Sequence, residues 1–174
     1  RRQTALPYEP SVLAAANAQL EVAKAYADAK NAQLQATLEG MSDGVVMMDA
    51  QLRLVEWNRH FPEIAGIPPG MLRVGLPIEE VLRAQARAGH FGRVDVEAEV
   101  AERLAALRVG DRFGSMERRR PDGRTIELRR NRLPDGGFVT LYGDVTARKQ
   151  IENALREAHA MAEAANETKS RFVA

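Results

Sequence analysis

Two copies of Pro-Asp-Gly, at residues 121–123 and 134–136, constrain this chain more than anything else in it. Each precedes a short run rich in β-branched and apolar residues, 125–133 and 137–146, and Pro-Asp-Gly is the sequence of a tight turn between antiparallel strands. Together with a strand over 112–120, the spacing predicts a three-stranded meander. After Thr146 the period changes, because Ile151, Ala158, Ala165 and Phe172 recur every seven residues. The sheet therefore runs straight into a long helix.

The other end of the chain has a similar repeat. Pro7, Pro10 and Ser11 make a helix-start signal, and residues 12–38 are alanine-rich with no Gly or Pro. Leu13, Leu20, Ala27, Leu34 and Met41 stand seven apart, with Ala16, Ala23, Lys30 and Thr37 in the second seam position. About 28 helical residues span roughly 40 Å. So thin an alanine seam buries too little on a small domain alone, which favours a parallel dimer through Leu13, Leu20, Ala27 and Leu34. The plainer reading is a solvated helix held together by the high propensity of alanine.

Between these helices, residues 40–44 break the first one. Residues 45–48 and 52–57 read as two strands joined by a polar Asp49-Ala50-Gln51 turn. Residues 58–65 form a short helix closed by Gly66 and the Pro68-Pro69-Gly70 breaker. Ile78, Val81, Leu82 and Gln85 have helical spacing up to Gly89, and Asp95 is placed to cap a helix whose Val96, Val100, Leu104 and Leu107 share a face. The order predicts an α+β fold: a five-stranded antiparallel sheet with helices on one face, flanked by N- and C-terminal coiled-coil helices. The expected divisions are a heptad helix over 1–39, a core over 40–146 and an output helix over 147–174.

The residues that carry this order resemble the PAS domain family. They are DGVVMMDAQLRLVEWNRHFPEIAGIP at 43–68 and RRRPDGRTIELRRNRLPDGGFVTLYGDVTARK at 118–149. The second segment closes in Asp144-Val145-Thr146, similar to the Asp-Ile-Thr signature that ends PAS cores and opens a signalling helix. The tail AMAEAANETKSRFVA, 160–174, is similar to the opening of the dimerisation helix of sensor histidine kinases. The resemblance implies a sensory and dimerising PAS module of a bacterial two-component (hybrid) histidine kinase, cytoplasmic, with any membrane anchor upstream. Its partners would be a second copy, the downstream kinase domains and a response regulator. The chain stops before the phospho-accepting His of that helix could appear, and His159 lies N-terminal to the similar stretch. No kinase activity is expected of this segment. Opening on Arg1 and not on Met, the chain reads as a piece of a longer protein.

Function narrows by exclusion as well. No cysteine is present among the 174 residues, which removes disulfides, thiolate metal sites, cysteine nucleophiles and a cysteine-linked flavin. A haem-binding member of the family would place its axial His on the middle helices, 77–88 or 94–107, and neither contains one. His90, in the Gly89-His90-Phe91-Gly92 loop, reads as a loop or surface histidine, so haem is not expected. With 25 Lys plus Arg against 24 Asp plus Glu, no overall field argues for nucleic acid. Seven arginines fall between Arg118 and Arg132, but without the interleaved aromatics a nucleic-acid strand would stack on.

Alternation along 125–132 puts Ile126, Leu128, Arg130 and Arg132 on one strand face. Arg130 and Arg132 thus share the core side, where the open readings are a carboxylate ligand, a pair with Glu63 or Glu79, or a position at the strand end in water. A pocket is expected between sheet and middle helices, lined by Val46, Met48, Phe61, Ile64, Leu82, Ile126, Leu128, Arg130 and Leu141. It holds a small-molecule ligand in one reading. In the other it is closed by its own side chains, Met48, Phe61, Ile64, Leu82 and Phe91 among them, and the domain is a ligand-free interaction module. At the junction, Thr146 is expected to N-cap the output helix, Asp144 to favour its positive end and Arg148 to pair with Asp144. Glu97, Glu99 and Glu102 read as the wet face of their helix.

Overall fold

In a computed structural model of the chain, residues 10–110 and 114–173 are described. Pro7 of the helix-start signal and Arg112, the expected opening of the third strand, lie outside them. Contacts divide the chain into two units, one ending at Met41 and the other beginning at Ser42. The first unit is a single helix, α1 (Pro10–Gly40), and its Leu13, Leu20, Ala27 and Leu34 are all exposed.

The second unit runs β1 (Gly44–Met48), β2 (Leu54–Trp57), α2 (His60–Ala65), α3 (Ile78–Arg87), α4 (Val96–Val109), β3 (Gly114–Arg119), β4 (Thr125–Arg132), β5 (Phe138–Asp144) and α5 (Thr146–Val173). Its five strands form one antiparallel sheet in the order β2-β1-β5-β4-β3. The expected α+β architecture is the observed one.

Local chemistry explains the turns. In both Pro-Asp-Gly segments the Asp carboxylate accepts an N–H two residues on, Asp122 from Arg124 at 3.1 Å and Asp135 from Gly137 at 3.0 Å. The glycine of each then takes a left-handed φ of 87°, which a side chain would strain. Between β1 and β2, Asp49 does the same for Gln51 and Arg53, both at 2.9 Å. α2 is seated by Asn58, whose amide is buried and bonded at both ends. Its Oδ1 accepts the N–H groups of Val45 and Phe61, at 2.9 and 3.1 Å, and its Nδ2 donates to the Asp43 carbonyl at 2.9 Å. Asp95 caps α4 by accepting the Ala98 N–H at 2.8 Å.

The core lies between one sheet face and α2, α3 and α4. Val81 and Leu82 of α3 and Val100, Leu104 and Leu107 of α4 meet Val46, Met48, Ile126, Leu128, Phe138 and Tyr142 of the strands. Phe61 of α2 is fully buried, its ring edge-on to Tyr142 with centroids 5.3 Å apart. Truncating so buried an aromatic costs about 3–5 kcal/mol. Leu141 departs from the expectation. It pairs with Val45 on one side and Arg129 on the other, so it stands on the opposite face of the sheet from Thr140 and Tyr142. Leu141 is no part of the pocket wall.

Candidate functional site

A cavity opens between the helix-covered sheet face and helices α3 and α4. Strands supply Val46 and Met48, Arg118 and Arg130, and Thr140 and Tyr142; helices supply Phe61, Leu82, Gln85 and Arg103. Its enclosed volume is about 20 Å³, space for about one water. The lining side chains thus nearly fill it.

Three guanidinium groups converge there. Arg130 is only 8% exposed, donates Nε to Thr140 Oγ1 at 3.0 Å and lies 5.2 Å from the Phe138 ring centroid. Register produces that bond, because Arg130 and Thr140 are direct cross-strand partners and both point at the core. Arg118 donates to Gln85 Oε1 at 3.4 Å, while Gln85 is fixed by its own bond to the Ala65 carbonyl at 3.1 Å. Arg103 pairs with Glu99, one turn back, at 2.6 Å. Both Arg103 and Arg118 sit over the ring of Phe91, 3.7 and 4.5 Å from its centroid. Among the described residues, no carboxylate lines this cavity.

A smaller cavity adjoins it, lined by Ile64, Ile126, Leu128, Gln85, Arg118, Arg120 and His90. His90 lies in the loop after α3, one of its two readings, but it is not at the surface, being only 6% exposed. The loop after α3 turns it inward against Gly66, where any Cβ would overlap the imidazole. Burial pushes its pKa down, and the nearby Arg120 and Arg118 cations push it further. Arg120 also donates to the carbonyls of Glu63 and Ile64 at 3.2 and 3.1 Å, satisfying the C-terminal end of α2.

Where β5 passes into α5, the bonds differ from those expected. Asp144 Oδ1 accepts both the N–H and the hydroxyl of Thr146, at 3.0 and 2.5 Å. Thr146 Oγ1 in turn accepts the N–H of Thr125, the first residue of β4, at 2.9 Å. Thr146 is therefore the first helical residue with its hydroxyl engaged sideways on β4, and Asp144 supplies the acceptor at the helix start. Arg148 does not reach Asp144. It pairs with Glu127 at 3.6 Å and Glu152 at 3.7 Å, and the cation beside Asp144 is Arg124 at 4.0 Å. Lys149 adds a link to Glu117 of β3 at 2.7 Å. For Asp144, burial acts to raise the pKa, but the two bonds from Thr146 and the Arg124 charge outweigh it and hold the carboxyl below its usual range.

A PAS fold family model matches residues 38–153, more than half of the chain. The chain belongs to the PAS family. PAS domains are sensory and signalling modules, as a rule without catalysis of their own, and they commonly mediate protein contacts and dimerisation. A curated relative, the non-motile and phage-resistance protein of Caulobacter vibrioides, is 28% identical over 135 residues. Those residues are 78% of this chain and 14% of the relative, so the chain spans a small part of that protein's length. Among solved structures, the E. coli DhaR(N)-DhaL complex matches with a TM-score of 0.50 at 21% identity, covering 82% of this chain and 47% of that one. The PAS domain of Bordetella pertussis BvgS matches with a TM-score of 0.45 at 16% identity, covering 78% and 98%.

Within this PAS domain, the expected pocket residues divide. Val46, Met48, Phe61, Leu82 and Arg130 line the main cavity, and Ile64, Ile126 and Leu128 line the smaller one. Arg132 is exposed at the end of β4. Arg103, Arg118, Gln85, Thr140 and Tyr142 went unread. Thr140 and Tyr142 were legible from the β5 alternation, had Leu141 not been placed on the core face. Arg118 belongs to the arginine run, for which the sequence argues only against nucleic-acid binding. Glu97 and Glu102 are exposed as a wet face requires, Glu97 while pairing with Arg83 at 2.7 Å, whereas Glu99 is half-buried and binds Arg103 at 2.6 Å.

Proposed function

We propose that this PAS domain is a sensory and dimerising module of a two-component histidine kinase, passing a ligand-borne or upstream signal through paired helices to kinase domains and thence to a response regulator. The observation that carries the proposal is the shared strand β5, which lines the cavity with Thr140 and Tyr142 and then roots α5 through Asp144. A change in the cavity wall at Tyr142 or Thr140 is four to six residues from the start of α5. Beyond residue 150 the whole of α5 is exposed, with Ile151, Leu155, Met161 and Phe172 unburied. Together with the exposed Leu13, Leu20 and Leu34 of α1, they supply the apolar seams of a homodimer. The likeness of the 160–174 tail to a kinase dimerisation helix supports the kinase context. A cytoplasmic position fits the fact that, among the described residues, no helix is long and apolar enough to cross a membrane.

The testing experiment is Asp144→Ala with Thr146→Ala in the longer kinase. Fold and ligand affinity should be retained while autophosphorylation stops responding to signal, locked high or low. A normal response across the signal range ends the proposal.

A second reading, a ligand-free interaction module, is favoured by the small enclosed volume, since Met48, Phe61 and Leu82 nearly close the space between sheet and helices.

A further inference from the structure

We propose that the loop of residues 89–93 is a proton-operated clasp on the main cavity: with His90 neutral it holds Phe91 against Arg103 and Arg118, and a proton on His90 releases it. The inference names a regulation of the sensory site and rests on the sensory reading.

Two adjacent residues of the loop reach two different places. Phe91 backs the lining of the main cavity, since Arg103 and Arg118, both in that lining, sit over its ring at 3.7 and 4.5 Å from the centroid. One cation comes from α4 and the other from β3, so a single ring bridges a helix and an edge strand of the sheet. Each arginine also has an anchor of its own, Arg103 on Glu99 at 2.6 Å and Arg118 on Gln85 at 3.4 Å. Withdrawing the ring would loosen the gap between α4 and β3 while those anchors keep the wall in place.

His90 points the other way, into the smaller cavity. Its ring crowds on Gly66 together with the Arg120 guanidinium, so that any Cβ at Gly66 would overlap both. Arg118 and Arg120 of β3 face the imidazole, as do Asp122 and Arg124 of the turn that follows. Tyr142 of β5, Ala65 of α2 and Gln85 of α3 complete the surroundings. Asp122 is shared with Arg120 and Arg124, at 3.3 and 3.0 Å. Burial and the three cations outweigh that one carboxylate and lower the pKa of His90. In an open loop the imidazole meets water and takes its ordinary value of about 6.5. Acid therefore favours the open loop, by up to about tenfold for each pH unit between the ordinary value and the depressed closed one.

Hinges are present at both ends. Gly89 and Gly92 flank His90-Phe91 with left-handed φ of 77° and 82°, and residues 92–95 are exposed. The bond from the Gly92 N–H to the Gly89 carbonyl, 3.0 Å, lies within the loop and can travel with it.

Nuclear magnetic resonance of the 174-residue chain between about pH 7.5 and about pH 5 tests the clasp, because an ordinary imidazole titrates in that window. Lying over the Phe91 ring, the side-chain protons of Arg103 and Arg118 should be shifted upfield at neutral pH. They should lose that shift in acid with the same midpoint as the His90 Cε1 proton, while the Phe61–Tyr142 contact persists. His90→Gln, which takes up no proton, should keep the shifts throughout. Phe91→Leu removes the ring, and with the closed form weakened the His90 midpoint should rise toward about 6.5. Arginine protons at ordinary positions in the neutral wild type overturn the clasp, as does a titrating His90 with unmoved arginine shifts. An unchanged His90 midpoint in Phe91→Leu, or loss of the shifts in acid by His90→Gln, overturns it as well. So does a domain in which neither signal changes before global unfolding. Each of these failures leaves the sensory reading standing, because that reading falls on a normal kinase response of the Asp144 and Thr146 double variant.

Discussion

The hydroxyl of Thr146 accepts the backbone N–H of Thr125 at 2.9 Å, so the first residue of the output helix is held by the first residue of the neighbouring strand. The same hydroxyl donates to Asp144, which makes one side chain the meeting point of β4, β5 and α5. Thr146→Val keeps the shape and deletes both bonds, at a cost of about 1 kcal/mol. Amide exchange should accelerate at Thr125 and over the first turn of α5, while the protection of Val46 and Thr140 in the central strands stays as it was. Unchanged exchange at Thr125 would show that the link does not restrain the helix.

Stability should depend on His90 below neutral pH. The folded chain holds this imidazole neutral through burial and the Arg120 and Arg118 charges, with Arg124 adding to them and Asp122 opposing. The unfolded chain takes up a proton near the ordinary value of about 6.5. The His90 contribution is therefore fully present above that pH and falls as the pH drops below it toward the depressed folded value. His90→Gln should flatten the melting-temperature profile between about pH 7 and 5. A parallel profile in the variant would mean that another group governs that window.

Val46, 2% exposed in the middle of β1, faces the filled cavity. Val46→Trp should destabilise the domain by about 1–3 kcal/mol, seen as a lower urea midpoint. An unchanged midpoint would indicate that the cavity is wider in solution than 20 Å³ allows.

Leu20 and Leu34 are 64% and 62% exposed on α1. Sedimentation of the 174-residue chain should give a dimer, and Leu20→Lys with Leu34→Lys should shift it to the monomer. A wild-type monomer at the highest soluble concentration removes α1 as a pairing surface.

The fold was legible because its punctuation is chemical: Pro-Asp-Gly fixes two turns, Asp95 fixes a helix start, and the change of period after Thr146 marks the output helix. The site was less so. In β5 the run Phe138 to Tyr142 is apolar or β-branched on both faces, and only pairing, Tyr142 with Leu128 and Leu141 with Arg129, says which side is inward. Arg118 and Arg103 look solvated in a one-dimensional reading because arginine usually is. Their place over Phe91 depends on a loop ring that no local pattern aims. The loop position of His90 was legible but its burial was not, since Gly66 and Arg120, which pack near it, are distant in sequence.

The bond pattern at Thr146 also has a mechanical side. α5 has 28 residues, a rod of about 42 Å, and among the described residues its side-chain bonds to the sheet fall within its first turn, at Thr146, Arg148 and Lys149. A tilt of about 5° at that clamp displaces the far end by roughly 4 Å, by the geometry of a rigid helix. Under the relay proposed above, side-chain movements in the cavity of a few tenths of an ångström, passed along β5 to Asp144, would be geared up about as a short pivot gears up a long pointer. A partner gripping the distal turns would meet a displacement comparable to a change of helical register.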